Sequence, residues 1–238
     1  MKVSIGFNRH LETEWLTQTA SWVAKDIEGD ELKSQIDLML APVFTSQVAK
    51  DKTRNLLFGI WNKLPAHIPK AFQDDAAKLI MEHSELNLVF HWGMMLAKYP
   101  FFYLVVGQIG RLTKLNDAFL YAQLEQRVVE NFGDTSTIKR SMQFVVRTLI
   151  NLDLLANPKQ GLYQTQKPIK VDSSSVKAWL VEASLYSESQ SSRSLTTISD
   201  APVWFPFELH FQASDLSQNG RLEVHHQSSD VIVFINNQ

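Results

Sequence analysis

The first hundred residues place apolar side chains at the period of an α-helix. The earliest stripe, whose spacing suits one helical face, consists of Leu11, Trp15, Trp22 and Val23. Four further segments of this kind precede Pro100, and the last, over residues 86–98, is apolar on nearly every side. Such a helix is normally buried at the centre of a bundle. The pattern therefore predicts a helical bundle over residues 1–99.

The pattern changes after Pro100. A short apolar helix (FFYLVVGQIGRLTKL) precedes the β-prone AFLY, and a helix over about 123–131 ends at Gly133, because glycine enters the left-handed conformation at little cost. Asp, Ser and Thr then suit a helix start, so a helix over Thr137–Leu152 is predicted, followed by two short strands and their turn. This order is typical of a winged helix-turn-helix, which we predict over residues 100–171.

Residues 172–238 combine helical and strand patterns. SSSVKAWLVEASLY has apolar residues at helical spacing, whereas the Ser-rich SESQSSRSLTTISDAP is typical of a flexible linker. The later segments FELHF, RLEVHHQ and DVIVFIN alternate like strands, with Asn219-Gly220 as a turn signal. We therefore predict a mainly α protein with a helical N-terminal bundle, a central winged helix-turn-helix, and a C-terminal helix with a small β-hairpin or sheet.

The helix predicted over Thr137–Leu152 has two opposite faces on a wheel of about 100° per residue. One face is wholly apolar and comprises Ile138, Met142, Val145, Leu149 and Leu152. The other face is polar and comprises Ser136, Lys139, Arg140, Gln143 and Arg147. In the DNA major groove arginine pairs with guanine and glutamine with adenine, while Lys and Ser bind phosphate. We predict base-edge contacts for Arg140, Gln143 and Arg147 and phosphate contacts for Lys139 and Ser136.

Charge is distributed unevenly along the chain. The whole chain has 23 Lys and Arg against 25 Asp and Glu, for a formal charge of -2. Residues 111–170 contain nine basic and five acidic residues, so this segment is +4 and the remainder is -6. Lys159 lies at the tip of the predicted wing, where we expect it to contact the adjacent DNA backbone. A basic segment within an acidic chain is typical of a nucleic-acid-binding module.

Composition and motifs weigh against several other chemistries. The chain has no Cys, which excludes disulfides, thiolate metal sites and cysteine nucleophiles. His225 and His226 are adjacent and would point to opposite faces of a strand, so no metal site is predicted. The sequence contains no nucleotide-binding or hydrolase motif, so we predict neither a cofactor nor an enzymatic activity. The apolar runs and the N-terminus resemble neither a membrane span nor a signal peptide, so we expect a cytoplasmic protein that does not bind membranes.

Two stretches within His91–Leu155 resemble a known family. HWGMMLAKYPFFYLVVGQIGRL, followed by GDTSTIKRSMQFVVRTLINLDLL, is similar to the BrxA proteins of BREX bacteriophage-exclusion systems. The similarity covers about a third of the chain and rests on the order of elements and on the helix start from Thr135 to Arg140. The chain differs from that family in its long tail after Asp172 and in its aromatic residues around Trp92. The resemblance implies a DNA-binding accessory subunit of a bacterial defence system.

The sequence thus predicts a non-enzymatic protein that binds double-stranded DNA through its winged helix, as an accessory subunit beside other proteins of a defence system. Two alternatives use the same fold. In an adaptor the winged helix would dock a protein partner. In a transcription regulator the chain would bind a palindromic site as a dimer, with half-sites about one helical turn apart. No long dimerisation helix is visible in the sequence, which disfavours the regulator, and the oligomeric state and the DNA sequence preference stay open.

Overall fold

The computed structural model describes residues 5–114, 116–187, 190–227 and 230–236. Within these ranges the N-terminal part forms five helices, namely α1 (Thr13–Val23), α2 (Gly29–Leu40), α3 (Gln47–Trp61), α4 (Lys70–Glu82) and α5 (Asn87–Lys98). All five were predicted from the spacing of their apolar residues. Each helix buries its apolar stripe in a shared core. Helix α5 is buried over nine consecutive residues from Val89 to Ala97, as its all-round apolar pattern predicts.

The middle of the chain contains the elements that the sequence predicted, in the predicted order. They are α6 (Pro100–Thr113), β1 (Ala118–Leu120), α7 (Tyr121–Phe132), α8 (Ser136–Asn151), β2 (Leu155–Lys159) and β3 (Leu162–Thr165). Strand β3 lies between β1 and β2 and pairs antiparallel with both. The Tyr121 amide donates to the Gly161 carbonyl at 2.8 Å, so the start of α7 is tied to the turn of the β2–β3 hairpin.

The C-terminal part is built around one long helix and small sheets. Its elements are β4 (Ile169–Lys170), α9 (Ser174–Ser187), β5 (Ser192–Ser194), α10 (Leu195–Ser199), β6 (Phe207–Glu208), α11 (Ala213–Leu216), β7 (Leu222–Gln227) and β8 (Asp230–Ile235). Strand β8 lies between β5 and β7, both antiparallel to it, while β4 and β6 form a separate parallel pair. The molecule is thus mainly helical, with small sheets in its C-terminal half, as predicted.

Two predictions for the C-terminal part are wrong in detail. The Ser-rich segment is not a linker over its described residues, because Ser192–Ser194 pairs with β8 and Ser194 caps α10 by accepting from the Thr197 amide at 3.1 Å. Residues 188 and 189 lie outside the described ranges. FELHF contributes a strand of two residues, and this strand pairs with β4 instead of joining the terminal sheet. Serines in this segment cap a helix and belong to a paired strand. Composition alone does not distinguish such a segment from a flexible linker.

Helix α9 occupies the centre of the core. Every residue from Val176 to Ser187 is buried. The Trp179 ring stacks on Phe72 of α4, with ring centroids 4.9 Å apart, and a Cβ added at Gly93 of α5 would overlap the same indole. The aromatic residues around Trp92 are packed here as well, since Trp92, Phe101 and Phe102 are fully buried. A continuous core therefore joins all three parts of the chain.

Two buried charged side chains of α9 are paired with side chains of other elements. Lys177 Nζ lies 2.8 Å from Asp215 Oδ2 of α11. Glu182 is fully buried and accepts from Arg221 Nε at 2.8 Å, and Arg221 also contacts Asp75 of α4. These pairs fasten the C-terminal segment to the bundle.

No single helix among the described residues has the length and apolar character of a membrane span. Helices α5 and α6 reach that composition only as a pair, and they are bent by 118° at the break between them.

Candidate nucleic-acid interface

Local sequence determines where α8 begins. Helix α7 ends at Gly133, whose φ of 88° lies in the region that glycine adopts most easily. Thr135 then caps α8, because its hydroxyl accepts from the Ile138 amide at 3.3 Å. Both signals were read from the sequence. They separate two helices by a three-residue turn and leave the first amides of α8 facing outward at a positive helix end.

The apolar face of α8 is buried as predicted. Met142, Val145 and Leu149 are fully buried, and Ile138 and Leu152 are 4% exposed. Full burial of each such side chain stabilises the fold by roughly 1.5–3 kcal/mol. The helix therefore cannot rotate to hide its opposite face, and that face remains turned outward.

Four of the five polar residues predicted on α8 are exposed. They are Ser136, Arg140, Gln143 and Arg147. Neither Arg140 nor Arg147 forms an ion pair with any residue in the described ranges. Their charges are therefore available to a ligand, since no carboxylate of the described residues lies within ion-pair distance of either guanidinium.

Lys139 departs from the rest of the predicted set. Its ammonium lies 3.1 Å from Glu125 Oε1 on α7 and 2.8 Å from Asp134 Oδ1 in the turn. Hydrogen bonds to Asp134 and Glu125 raise the pKa of Lys139. Its charge is already compensated by two carboxylates, so Lys139 joins α7 to α8 instead of adding to the unpaired charge of the exposed face.

The hairpin carries a further cation at its tip. Lys159 ends β2 and is exposed, and the turn after it contains Gly161 at a φ of 76°. Asn157 stabilises this turn, because its Nδ2 donates to the carbonyls of Lys159 and Leu162 at 3.0 and 2.8 Å. Lys159 therefore lies at the hairpin tip, as predicted from the Asn, Pro and Gly of the segment.

Aromatic residues of the hairpin support the middle of α8. Tyr163 of β3 stacks on Phe119 at 5.6 Å and lies 6.0 Å from the Tyr121 ring. Gln143 lies beside the Tyr121 hydroxyl, and Arg147 is close enough to act electrostatically on Tyr163. The hairpin and the exposed face of α8 thus form one continuous surface.

The sequence analysis missed the contribution of the N-terminal segment. Residues 5–12 have no helix or strand and lie along the second half of α8, where the Leu11 amide donates to Thr148 Oγ1 at 3.0 Å. The Arg9 guanidinium lies 5.9 Å from the ring centroid of Phe144. No sequence signal could have found this contact, because the two residues are separated by most of the chain.

A serine and a histidine lie close together elsewhere in the molecule. Ser173 Oγ is 3.4 Å from His83 Nε2, and His83 Nδ1 is 3.6 Å from Glu85 Oε1. Activated nucleophiles usually have hydrogen bonds of about 2.6–3.2 Å along such a chain. The Glu85 side chain is also 69% exposed, so it does not hold the imidazole in place. We assign this group no catalytic role.

A cleft lies between the end of α6 and the α10 region. It measures about 680 Å³ and is lined by Arg111, Lys114 and Lys167 but also by Asp117 and Asp200. Its lining thus mixes both signs of charge, in contrast to the exposed face of α8.

Comparison of the chain with protein-family models, curated proteins and solved structures found no match. The resemblance to BrxA proteins therefore stays a prediction from the sequence.

Proposed function

We propose that residues 100–171 form a winged helix-turn-helix that binds double-stranded DNA with α8 in the major groove. The order of elements supports this proposal, because a helix, a strand, two helices and a hairpin follow one another. The antiparallel pairing β1–β3–β2 supports it too, since it brings the hairpin beside α8. The short turn after Gly133 joins α7 to α8, and Ser136 and Arg140 in the N-terminal half of α8 are exposed.

One observation carries the proposal. Arg140 and Arg147 are exposed two turns apart on the same face of α8, without a carboxylate partner among the described residues. Two unpaired cations on a helix that is anchored by its opposite face suit a polyanionic ligand. An i, i+7 spacing spans about 10.5 Å along the helix, so both guanidinium groups can reach a groove about 12 Å wide.

The residues take the following parts in the proposed complex. Arg140 and Arg147 donate to guanine edges, and Gln143, supported by Tyr121, pairs with adenine. Ser136 lies at the positive end of α8 and donates to a phosphate. Lys159 contacts the neighbouring backbone from the hairpin. Lys139 keeps the helix-turn-helix together through its two carboxylates.

A charge-reversal experiment tests the proposal. We expect wild-type protein to bind a fluorescein-labelled duplex with an affinity that falls as salt rises, because its cationic side chains displace counterions from the DNA. The double substitution Arg140→Glu and Arg147→Glu should abolish binding without unfolding the protein, because both side chains are exposed. Lys25→Glu with Lys52→Glu, on exposed sites of the bundle, changes the charge equally and should bind nearly as wild type. Fluorescence anisotropy measures all three.

Two results would contradict the proposal. If wild-type protein does not bind the duplex even at low salt, the adaptor hypothesis, in which the winged helix docks a protein partner, replaces the DNA-binding proposal. If the Arg140→Glu, Arg147→Glu protein binds as tightly as the control, α8 is not the DNA-reading element.

We further propose that the protein acts in the cytoplasm as an accessory subunit of a bacterial phage-defence system. The similarity of His91–Leu155 to BrxA proteins is what supports this part. Phage plating efficiency on cells expressing wild type or the Arg140→Glu, Arg147→Glu variant tests it. We expect protection to be lost in the variant, and equal protection by both proteins would contradict a role that depends on DNA binding.

A further inference from the structure

The N-terminal segment is fixed in position on both sides of Arg9. Phe7 and Leu11 are fully buried. The Leu11 amide donates to Thr148 Oγ1, and its carbonyl accepts from Asn151 Nδ2 at 3.0 Å. Both partners belong to the last two turns of α8. Arg9 is therefore held against this helix and is not part of a freely moving arm.

Arg9 lies between the two arginines of α8. Its guanidinium lies over Phe144, 5.9 Å from the ring centroid. Phe144 is four residues after Arg140 and three before Arg147, and residues at these spacings are neighbours on a helix surface. Arg9 thus reaches the part of the α8 surface that lies between the positions of Arg140 and Arg147.

Arg9 lacks the partner that comparable arginines have. Arg54 is paired with Asp37 at 2.8 Å and with Asp51 at 3.1 Å. Among the described residues no carboxylate pairs with Arg9, and its Nε is sealed from water without a hydrogen-bond partner. Buried polar groups in native proteins are almost always satisfied, and an unpaired buried charge is costly. The site around Arg9 therefore favours an anion.

The neighbouring side chains do not supply that anion. Glu12 accepts from Asn151 Nδ2 at 2.8 Å and lies 3.9 Å from His10 Nε2. Burial, together with the charges of Arg147 and Arg9, lowers the pKa of His10. Both guanidinium groups therefore act on the same imidazole, and Glu12 also acts electrostatically on Arg147 without forming an ion pair with Arg147 or Arg9.

We propose that Arg9 is a third arginine of the DNA interface and that it binds a backbone phosphate beside the groove entered by α8. This inference rests on the proposed function and deepens it. The interface then extends beyond residues 100–171, because the N-terminal bundle contributes a contact of its own. Arg9 is only partly buried, so phosphate oxygens can accept from the terminal N–H groups of its guanidinium.

Salt-dependent binding of single variants tests the proposal. We expect Arg9→Gln to weaken duplex binding about fivefold to tenfold and to reduce the log–log salt slope by about 0.9, the value of one lost phosphate contact. Arg9→Lys should keep the slope, because it keeps the charge. Lys52→Gln is the matched control, since Lys52 is exposed on α3, and it should change neither quantity. Urea unfolding of each variant shows whether the fold is retained.

Each outcome has a distinct meaning. If wild-type protein binds DNA and Arg9→Gln matches it in affinity and slope, this inference is wrong while the proposed function stands. If Arg9→Gln weakens binding with an unchanged slope, Arg9 only positions Phe144 and the phosphate contact is also wrong. If wild-type protein itself does not bind the duplex, the proposed function is wrong and this inference is wrong with it.

Discussion

Helices α8 and α9 are of similar length and carry similar charged residues in opposite surroundings. Helix α8 has 16 residues and leaves Arg140 and Arg147 exposed without carboxylate partners in the described ranges. Helix α9 has 14 residues, and its Lys177 and Glu182 are buried and paired. The charges of Arg140 and Arg147 are available to a ligand, whereas the charges of Lys177 and Glu182 hold the protein together. The residue types alone do not distinguish these roles.

The partners of α9 are bound tightly enough to shift their proton affinities. Burial acts to raise the pKa of Asp215, but hydrogen bonds from Lys177, Ser174 and the Gln212 amide lower it overall. Burial acts to lower the pKa of Arg221, but hydrogen bonds to Glu182 and Asp75 raise it overall. Both groups therefore stay charged inside the structure, as paired buried ions do.

The largest effect is expected where a buried charge of α9 loses its partner. Arg221→Met leaves Glu182 buried and uncompensated, and breaking a buried pair on one side typically costs about 3–5 kcal/mol. We expect the free energy of unfolding, measured in urea at pH 7, to fall by that amount. DNA binding by the remaining folded protein should be unchanged, because the ion pairs of Arg221 are with α4 and α9 and not with α8.

An exposed pair provides the control for this substitution. Lys70 lies 2.8 Å from Glu28 and 2.9 Å from Asp74 but is 61% exposed. Lys70→Met should cost less than about 1 kcal/mol. Equal losses of unfolding free energy in Arg221→Met and Lys70→Met would mean that burial does not determine which charged residues stabilise the fold.

A buried histidine should make the core sensitive to acid. Burial lowers the pKa of His91 on α5 to about 3. The unfolded chain, with a pKa near 6.5, binds the proton more tightly, so stability is lost as pH falls through 6.5 towards 3. One proton costs about 1.4 kcal/mol per pH unit, or roughly 3 kcal/mol at pH 4.

The variant His91→Leu isolates this loss. We expect the free energy of unfolding in urea to decrease less between pH 7 and pH 4 for the variant than for wild type, because leucine takes up no proton. Identical decreases would mean that His91 does not contribute to acid unfolding.

A smaller effect is expected from the close approach of α5 to α9. Gly93→Ala would place a methyl group against the Trp179 ring, and overpacking of a core typically costs about 1–3 kcal/mol. Gly107→Ala is the matched control in α6, where the added Cβ would lie 3.5 Å from Val203, and its higher helix propensity should make it neutral or stabilising. Thermal unfolding of both variants measures the difference, and a neutral Gly93→Ala would show that α9 is loosely packed.

The smallest effect on stability is expected at the exposed arginines of α8. Arg140→Ala and Arg147→Ala should each change the free energy of unfolding by less than about 0.5 kcal/mol, because neither arginine has an ion-pair partner among the described residues. Each should nevertheless weaken DNA binding, which anisotropy measures. A loss of stability comparable with that of Arg221→Met would place these arginines with the structural charges of α9.

The sequence by itself determined the elements that depend on near neighbours. Apolar spacing located the helices from α1 to α9, and Gly133 with Thr135 located the turn before α8, because helix faces, stops and caps depend on residues within a few positions of one another. The exposed positions of Arg140, Gln143 and Arg147 follow from the same short-range geometry. The Ser-rich segment was misread, since serine is common both in linkers and in caps.

Only the tertiary structure decided which basic side chains are paired with a carboxylate. Lys139 has the same spacing as its neighbours on α8, but the packing of α7 brings Glu125 to it. Arg9 reaches Phe144 only because the N-terminal segment crosses α8. Whether a charge is paired depends on groups that are distant in sequence and adjacent in space, and helical periodicity carries no information about them.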